Sequence, residues 1–155
     1  MKGFTLLEAL ISVLIFSFLI VGIYATLTVG EKTFNEGNVL LMLQQNTRRA
    51  MDTMVKELRE ALNPTLAGSI VITPTGNQIT FSTIGRAGIS YYVLNNQLVR
   101  EFPAGTIRVV GNNVANLLFI QNSHILTIGL TESLVYRGGR TLQFPLREEI
   151  NLRNP

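Results

Sequence analysis

The side chains that could do chemistry in this sequence are few, and no group of them is typical of an active site. There are no cysteines, which excludes thiol nucleophiles, iron–sulfur clusters and Cys-ligated zinc, and His124 is the only histidine. Glu148 and Glu149 are the only adjacent carboxylates, but consecutive strand residues face opposite sides of a sheet. No P-loop, G-x-S-x-G or dinucleotide motif occurs. We therefore expect no enzyme, no metal ion and no cofactor.

One carboxylate stands out because of the residues around it. Glu8 lies near the start of an apolar run, and no charged residue follows it from Ala9 to Gly30. As a helix, that stretch would measure roughly 33 Å, enough to cross a bilayer core of about 30 Å. A carboxylate at the centre of a bilayer is unfavourable by roughly 2.5–3.5 kcal/mol, so such residues usually have a partner and a function. Glu8 is therefore the main candidate for a functional residue.

Two common kinds of segment explain the apolar run without explaining Glu8. A secretory signal peptide has an apolar centre of about 7–15 residues and then a small-x-small cleavage site, whereas this run is longer and lacks that site. A plain single-pass anchor fits the length, and the positive-inside rule would leave Lys2 in the cytoplasm. Glu8 could also be an ordinary acid at a helix start, where it complements the helix dipole.

The order of residues 3 to 8 agrees with a more specific class of protein. The stretch Gly3-Phe4-Thr5-Leu6-Leu7-Glu8 resembles the processing site of type IV pilins and of the pseudopilins of type II secretion. The resemblance implies that a prepilin peptidase cuts between Gly3 and Phe4 and that the new amine of Phe4 is N-methylated. It also implies other pilin or pseudopilin subunits and an inner-membrane assembly platform as partners. The N-terminus would be cytoplasmic and the C-terminal domain extracytoplasmic.

Membership of this class would give Glu8 a role in assembly. When the helices leave the bilayer and pack in a filament, an unpaired charge in their apolar core is very costly, but a paired charge is tolerated. Cleavage would place the amine of Phe4 at the same depth as Glu8 of a neighbouring, axially shifted subunit. We therefore expect this pair to set the register between subunits, as single buried polar groups do in other helical assemblies.

Two features separate the chain from the commonest members of that family. The leader, residues 1–3, is shorter and less basic than is common, and Ala25 stands where many major pilins have a proline. Ala25 argues against a major pilin. A long N-terminal helix before a meandering sheet, the stretch ISYYVLNNQLVREF and the ending INLRNP resemble minor components of the family, the J-type pseudopilins and W-type minor pilins. For both types the implied role is structural, in a small complex near the filament tip that starts assembly.

Hydrophobic periodicity predicts one long helix in two parts. Residues 4–30 form the transmembrane and assembly part, and residues 31–63 form an amphipathic continuation that ends at Asn63-Pro64. Gly30 and Gly37 are the expected soft points of this helix. The apolar face of the second part comprises Leu40, Leu43, Met51, Met54, Val55, Leu58 and Leu62.

The remaining residues, 64–155, change their apolar period from near four to two, which predicts an antiparallel sheet with its apolar side on the helix. A helix with such a sheet is an α+β fold. A hairpin is predicted at Asn122-Ser123, with Ile120 opposite Ile125. The predicted strands are Ser69–Thr73, Gln78–Ile84, Ile89–Leu94, Gln97–Phe102, Thr106–Val110, Val114–Gln121 and His124–Leu130.

The clearest hairpin signal is the pair Asn95-Asn96, which lies between two strand-like runs. Asparagine tolerates the positive φ values that a two-residue hairpin turn requires. In that register Val93 faces Leu98 and Tyr91 faces Arg100. The sequence therefore predicts both the turn and the cross-strand pairs.

The charge balance favours no nucleic-acid partner. The chain has 13 Lys plus Arg against 10 Asp plus Glu, a net charge of +3, and the arginines after Pro64 are spread out, whereas nucleic-acid sites use clustered bases. Residues 137–140, Arg137-Gly138-Gly139-Arg140, could cradle an anion, or they could form a solvated turn between strands.

The alternative to a filament subunit is a membrane-tethered binding domain for DNA or secreted cargo, in which residues 4–30 are only an anchor.

Overall fold

The computed structural model describes residues 5–61, 70–136 and 139–152. They form one long helix followed by antiparallel strands, which confirms the predicted α+β fold. Contacts divide the chain into two units, Met1–Val39 and Leu40–Pro155. The elements in chain order are the helix α1 (Leu6–Arg59) and the strands β1 (Ile70–Ile72), β2 (Gln78–Thr83), β3 (Arg86–Leu94), β4 (Gln97–Glu101), β5 (Ile107–Gly111), β6 (Val114–Asn122), β7 (Ile125–Tyr136) and β8 (Arg140–Asn151).

In the first unit, α1 passes through Gly30 and Gly37 without a break. The large apolar side chains from Leu6 to Val29 are each more than half exposed, and no described residue of this unit covers them. By length and composition the helix can cross a membrane, since its most apolar window has a mean hydropathy of 2.6. From Leu6 to Val29 the first unit is therefore an apolar helix whose large side chains are not buried by its other described residues.

The C-terminal end of α1 differs from the prediction, which placed it at Asn63-Pro64. The amides of Glu60 and Ala61 donate to carbonyl oxygens three residues earlier, each at 3.1 Å, and this tighter pairing ends the α-helix at Arg59. Ala61 then forms an isolated bridge with Thr83 of β2. The chain has thus left the helix before Asn63, and Asn63-Pro64 itself lies outside the described residues.

In the second unit, one face of α1 is buried at the three- and four-residue spacing of an amphipathic helix. Leu40, which the sequence predicted on this face, is 41% exposed, so the buried stripe begins later than predicted. Leu62 lies outside the described residues. The prediction is confirmed for the buried side chains of Leu43, Met51, Met54, Val55 and Leu58.

The first five strands form an antiparallel meander in the order β1-β2-β3-β4-β5. Strands β3 and β4 turn at Asn95-Asn96, whose φ angles of 49° and 59° are the positive values that the sequence predicted. Tyr91 pairs with Arg100 and Val93 with Leu98. The predicted hairpin and its register are both confirmed.

The last three strands form a separate sheet in the order β6-β7-β8, so the expectation of a single sheet is wrong. Asn113, with a φ of 58°, lies in the short turn between β5 and β6 where the chain leaves the first sheet. Strand β7 extends to Tyr136, beyond the predicted end at Leu130. Strand β8 is absent from the predicted strands. It contains Pro145, which a strand at the edge of a sheet tolerates.

The β6–β7 hairpin exists, but its predicted register is wrong. Asn122 pairs with Ile125, so the turn residues are Ser123 and His124 rather than Asn122-Ser123. Ser123 has the positive φ of 55° that closes the turn. Ile120 consequently faces Thr127 and not Ile125. A shift of the turn by one residue is enough to change every pair in a hairpin.

The core contains side chains of α1 and of both sheets in one buried cluster. Phe81 and Tyr91 stack with ring centroids 6.2 Å apart and an interplanar angle of 3°. The Tyr91 hydroxyl donates to Glu57 Oε2 at 2.8 Å, and Arg100 Nε donates to the same oxygen at 2.8 Å. Burial, and then the bond to Glu57, raise the pKa of Tyr91, so this hydroxyl stays a donor. A carboxylate of α1 is thereby bound to β3 and β4.

A second carboxylate in the core is not paired. Glu132 of β7 is fully buried, and neither of its oxygens has a hydrogen-bond partner among the described residues. The Thr47 hydroxyl donates instead to the carbonyl oxygen of Leu43 at 2.8 Å. A Cβ on Gly111 would lie 3.4 Å from Glu132 Oε1, which places the carboxyl beside β5. Burial raises the pKa of Glu132 to about 7, and the nearby Thr47 offsets only part of that rise.

The raised pKa of Glu132 predicts a stability that depends on pH. Between the ordinary carboxyl pKa of 4.5 and about 7, folded Glu132 keeps a proton that the unfolded chain has lost, so stability falls as pH rises through this window. The loss approaches roughly 3 kcal/mol above pH 7. We expect Glu132→Gln to flatten this pH dependence and to unfold at higher denaturant than the wild type at about pH 8.

Denaturant unfolding of the full chain in detergent micelles, followed at about pH 5 and about pH 8, measures this difference. The matched control is Glu149→Gln, because Glu149 is an exposed carboxylate of the adjacent strand β8. If the stability of Glu132→Gln differs from that of the wild type by the same amount at both pH values, Glu132 is not the titrating group.

Candidate assembly site

The predicted functional residues lie at the start of the chain. Gly3 and Phe4 are outside the described residues, so the structure does not place them. Glu8 is in the first turn of α1, which begins at Leu6 directly after Thr5. It is therefore the third helical residue, the position at which a glutamate can bond back to the residue that caps the helix.

Thr5 and Glu8 form such a capping box. The Thr5 amide and the Thr5 hydroxyl both donate to Glu8 Oε2 at 3.0 Å, and the Glu8 amide donates to Thr5 Oγ1 at 3.3 Å. These contacts satisfy two backbone donors that the helix start would otherwise leave unpaired. The two bonds to the carboxylate both use Oε2, and Oε1 has no hydrogen bond among the described residues. One oxygen of Glu8 thus accepts both of the described bonds from Thr5 at the helix start.

The serine and threonine hydroxyls that follow Glu8 in the apolar stretch are paired within the helix. Ser12 donates to the carbonyl oxygen of Glu8 at 2.7 Å and Ser17 to that of Val13 at 2.8 Å. Thr26 and Thr28 make the same kind of bond one turn back, at 2.9 Å to Gly22 and 2.9 Å to Ala25. Apolar surroundings tolerate such satisfied hydroxyls, whereas they penalise unpaired ones. The sequence from Thr5 to Gly30 contains one charged side chain, that of Glu8.

The other carboxylates that the sequence singled out do not act together. Glu148 lies 3.7 Å from Arg59 Nη2, and Glu149 lies 3.2 Å from Arg147 Nη2. Their side chains alternate along β8, with Glu149 exposed and Glu148 partly buried. Each has its own arginine, and the described parts of the chain contain no group of three or more residues able to hold a metal ion.

The remaining candidates lie at hairpin turns. His124 occupies the β6–β7 turn, where its carbonyl oxygen accepts a bond from the Leu152 amide at 2.7 Å, and its Nδ1 has no partner among the described residues. Arg140 pairs with Tyr136 at the turn end of the β7–β8 hairpin. Arg137 lies outside the described residues, so the proposed anion cradle at residues 137–140 stays a prediction.

Comparison with known families agrees with this geometry at the N-terminus. Residues 1–24 match the family model described as the prokaryotic N-terminal methylation motif. No curated protein and no solved structure gave a significant match to the chain. The motif supports a type IV pilin-like or pseudopilin-like subunit, a class that is generally structural rather than catalytic. Together with the apolar helix it supports membrane anchoring, and it implies other pilin subunits and the prepilin peptidase as partners.

The capping box predicts a local effect of changing Thr5. We expect Thr5→Ala to weaken the first turn of α1 by about 1 kcal/mol, because the helix start loses its capping hydroxyl. Amide hydrogen exchange of the first helical turn, measured on the full chain in micelles, should then accelerate about fivefold. Ser12→Ala is the matched control, since the Ser12 hydroxyl bonds only to a carbonyl within the helix. Equal exchange rates in Thr5→Ala and the wild type would rule out the capping role.

Proposed function

We propose that this chain is a minor pseudopilin or minor pilin, a structural subunit of a type IV filament-type machine that works in protein secretion or pilus assembly. The observation that carries the proposal is the methylation motif on residues 1–24, which leads into an exposed apolar helix with one carboxylate in its first turn. Large exposed apolar surfaces are typical of segments that a membrane or another protein covers. The apolar helix of a filament subunit is surrounded first by membrane lipid and then, after assembly, by the helices of other subunits.

Processing is the first step of the proposed function. The prepilin peptidase removes residues 1–3 at the cytoplasmic face of the inner membrane and leaves a free, N-methylated amine on Phe4. The segment 4–30 then anchors the subunit, and the sheet-bearing part of the chain, residues 64–155, faces the extracytoplasmic side. Lys2 before the apolar run supports this orientation through the positive-inside rule.

Assembly is the second step, and it uses the remaining oxygen of Glu8. In a filament the apolar helices replace lipid with one another, so the Glu8 charge must be paired. The amine of Phe4 from the adjacent subunit reaches Glu8 Oε1 while Oε2 keeps its bonds to Thr5. The carboxylate thereby caps its own helix and sets the register of its neighbour at the same time.

Two observations support a minor place in the filament rather than that of the major subunit. Ala25 lies within α1 where many major pilins have a proline, and the helix continues through it. The stretch ISYYVLNNQLVREF and the ending INLRNP resemble minor components of the family, which fits a subunit of the tip or initiation complex.

The processing step predicts a specific mass. We expect the protein from cells that contain the prepilin peptidase to have the intact mass of residues 4–155 plus one methyl group, because cleavage follows Gly3 and the new amine is methylated. Mass spectrometry of the protein from membranes, with cells that lack the peptidase as control, measures this. A chain that stays uncut in both cells, or is cut beyond residue 25, would mean that the opening stretch is an anchor or an ordinary signal.

The assembly step predicts the effect of removing the carboxylate. We expect Glu8→Ala to insert into the membrane at wild-type levels and to lower filament formation or secretion by about tenfold or more, because the Phe4 amine then has no buried counter-ion. Glu31→Ala is the matched control, since Glu31 is an exposed glutamate of the same helix beyond the apolar stretch. Wild-type function of Glu8→Ala would favour the alternative, a membrane-tethered domain that binds DNA or secreted cargo.

A further inference from the structure

A cavity of about 490 Å³ lies in the second unit between α1 and the strands β3, β4 and β5. Its charged lining consists of Glu57 from α1 and three arginines, Arg86, Arg100 and Arg108, from the sheet. Thr53 and Phe102 complete its polar and aromatic sides. The cavity therefore holds three guanidinium groups and one carboxylate. It is distinct from the N-terminal site, which is part of the other unit.

The single carboxylate of the cavity is already occupied. Glu57 accepts the Tyr91 hydroxyl at 2.8 Å, and Arg100 Nε donates to its two oxygens at 3.0 and 2.8 Å. The bond to Glu57 raises the pKa of Arg100 further, so the guanidinium is permanently charged. Arg100 also lies over the ring of Phe102, 5.6 Å from its centroid. Its position is thus fixed on two sides.

The contact with Glu57 uses only Nε of Arg100, and no described hydrogen bond uses the two terminal nitrogens. These are the nitrogens that a guanidinium offers to a carboxylate or phosphate. Arg100 has a side chain that is only 13% exposed. A nearly buried cation with donors left over is a prepared site for an anion.

The other two arginines add charge that the described residues do not neutralise. Arg108 pairs directly with Arg100 across β4 and β5, and like charges in such cross-strand positions are unfavourable. Neither Arg108 nor Arg86 has an ion pair with a described carboxylate. The repulsion between these groups falls when an anion with several oxygens lies among them, since it can accept bonds from more than one guanidinium.

From this arrangement we propose that the cavity is a binding site for a compact anionic group with two or more oxygens, a carboxylate or a phosphate. Arg100 supplies the fixed donors, and the exposed Arg86 and Arg108 supply further positive charge. The group comes either from a free small anion or from an acidic side chain of a partner subunit.

Titration of the full chain in nonionic micelles with inorganic phosphate tests the site, at constant ionic strength and with the arginine Nε–H groups observed by NMR. We expect a saturable shift of the Arg100 signal with a Kd of about 1 mM. The double variant Arg86→Ala, Arg108→Ala should weaken binding by about tenfold or more. Arg147→Ala is the matched control, because Arg147 is an exposed arginine of the other sheet.

A shift that does not saturate, or one that is equal in the double variant and the wild type, would overturn the proposal. Because both alanine changes are at exposed positions, the double variant keeps the buried core and its unfolding midpoint can be checked in the same sample. A second titration, with a short glutamate peptide, separates the two sources of the anion. Tighter binding of the peptide supports a partner's acidic side chain, and tighter binding of phosphate supports a free anion.

Discussion

Burial of one stripe of α1 is the contact on which both sheets depend. Met51, Met54 and Leu58 are fully buried, and the same cluster contains side chains from the five-stranded and the three-stranded sheet. The two sheets are separate hydrogen-bonded ladders, so shared apolar burial against the helix is what makes them one core. The ion pair between Glu57 and Arg100 makes this contact specific in position, because it bonds one turn of α1 to strand β4.

The part of α1 in the first unit is also helical, but its apolar side chains are not confined to one stripe. Its apolar side chains surround the helix on all sides, which is typical of a helix that lipid or other helices cover. Polar groups in such a helix are best satisfied locally. The serine and threonine hydroxyls bond one turn back, and one oxygen of Glu8 bonds to Thr5. A segment built in this way can exchange lipid for protein neighbours without breaking any internal bond.

The fold was predictable from the sequence where a local rule decides it. The helical period, the change to a period of two and the Asn95-Asn96 turn each act over a few residues, and each was confirmed. The failures concern long-range choices. Ser123 rather than Asn122 took the positive φ, which shifted a whole register, and β8 contains Pro145, which is acceptable only because the strand lies at an edge. Separation into two sheets depends on packing against α1, which no local pattern encodes.

For the candidate sites, the sequence identified a carboxylate more readily than its partner. Glu8 was conspicuous in an apolar run, yet its bond to Thr5 was equally legible, because the order Thr-x-x-Glu is the signature of a capping box. Glu132 also had a signal, since it follows Leu126, Ile128 and Leu130 at inward positions of an alternating strand. The arginine cavity had none, because its members meet only after the β4–β5 register is set. A charged residue at an otherwise apolar position can thus be recognised in the sequence. The residues that surround it across the sheet are known only once the fold is known.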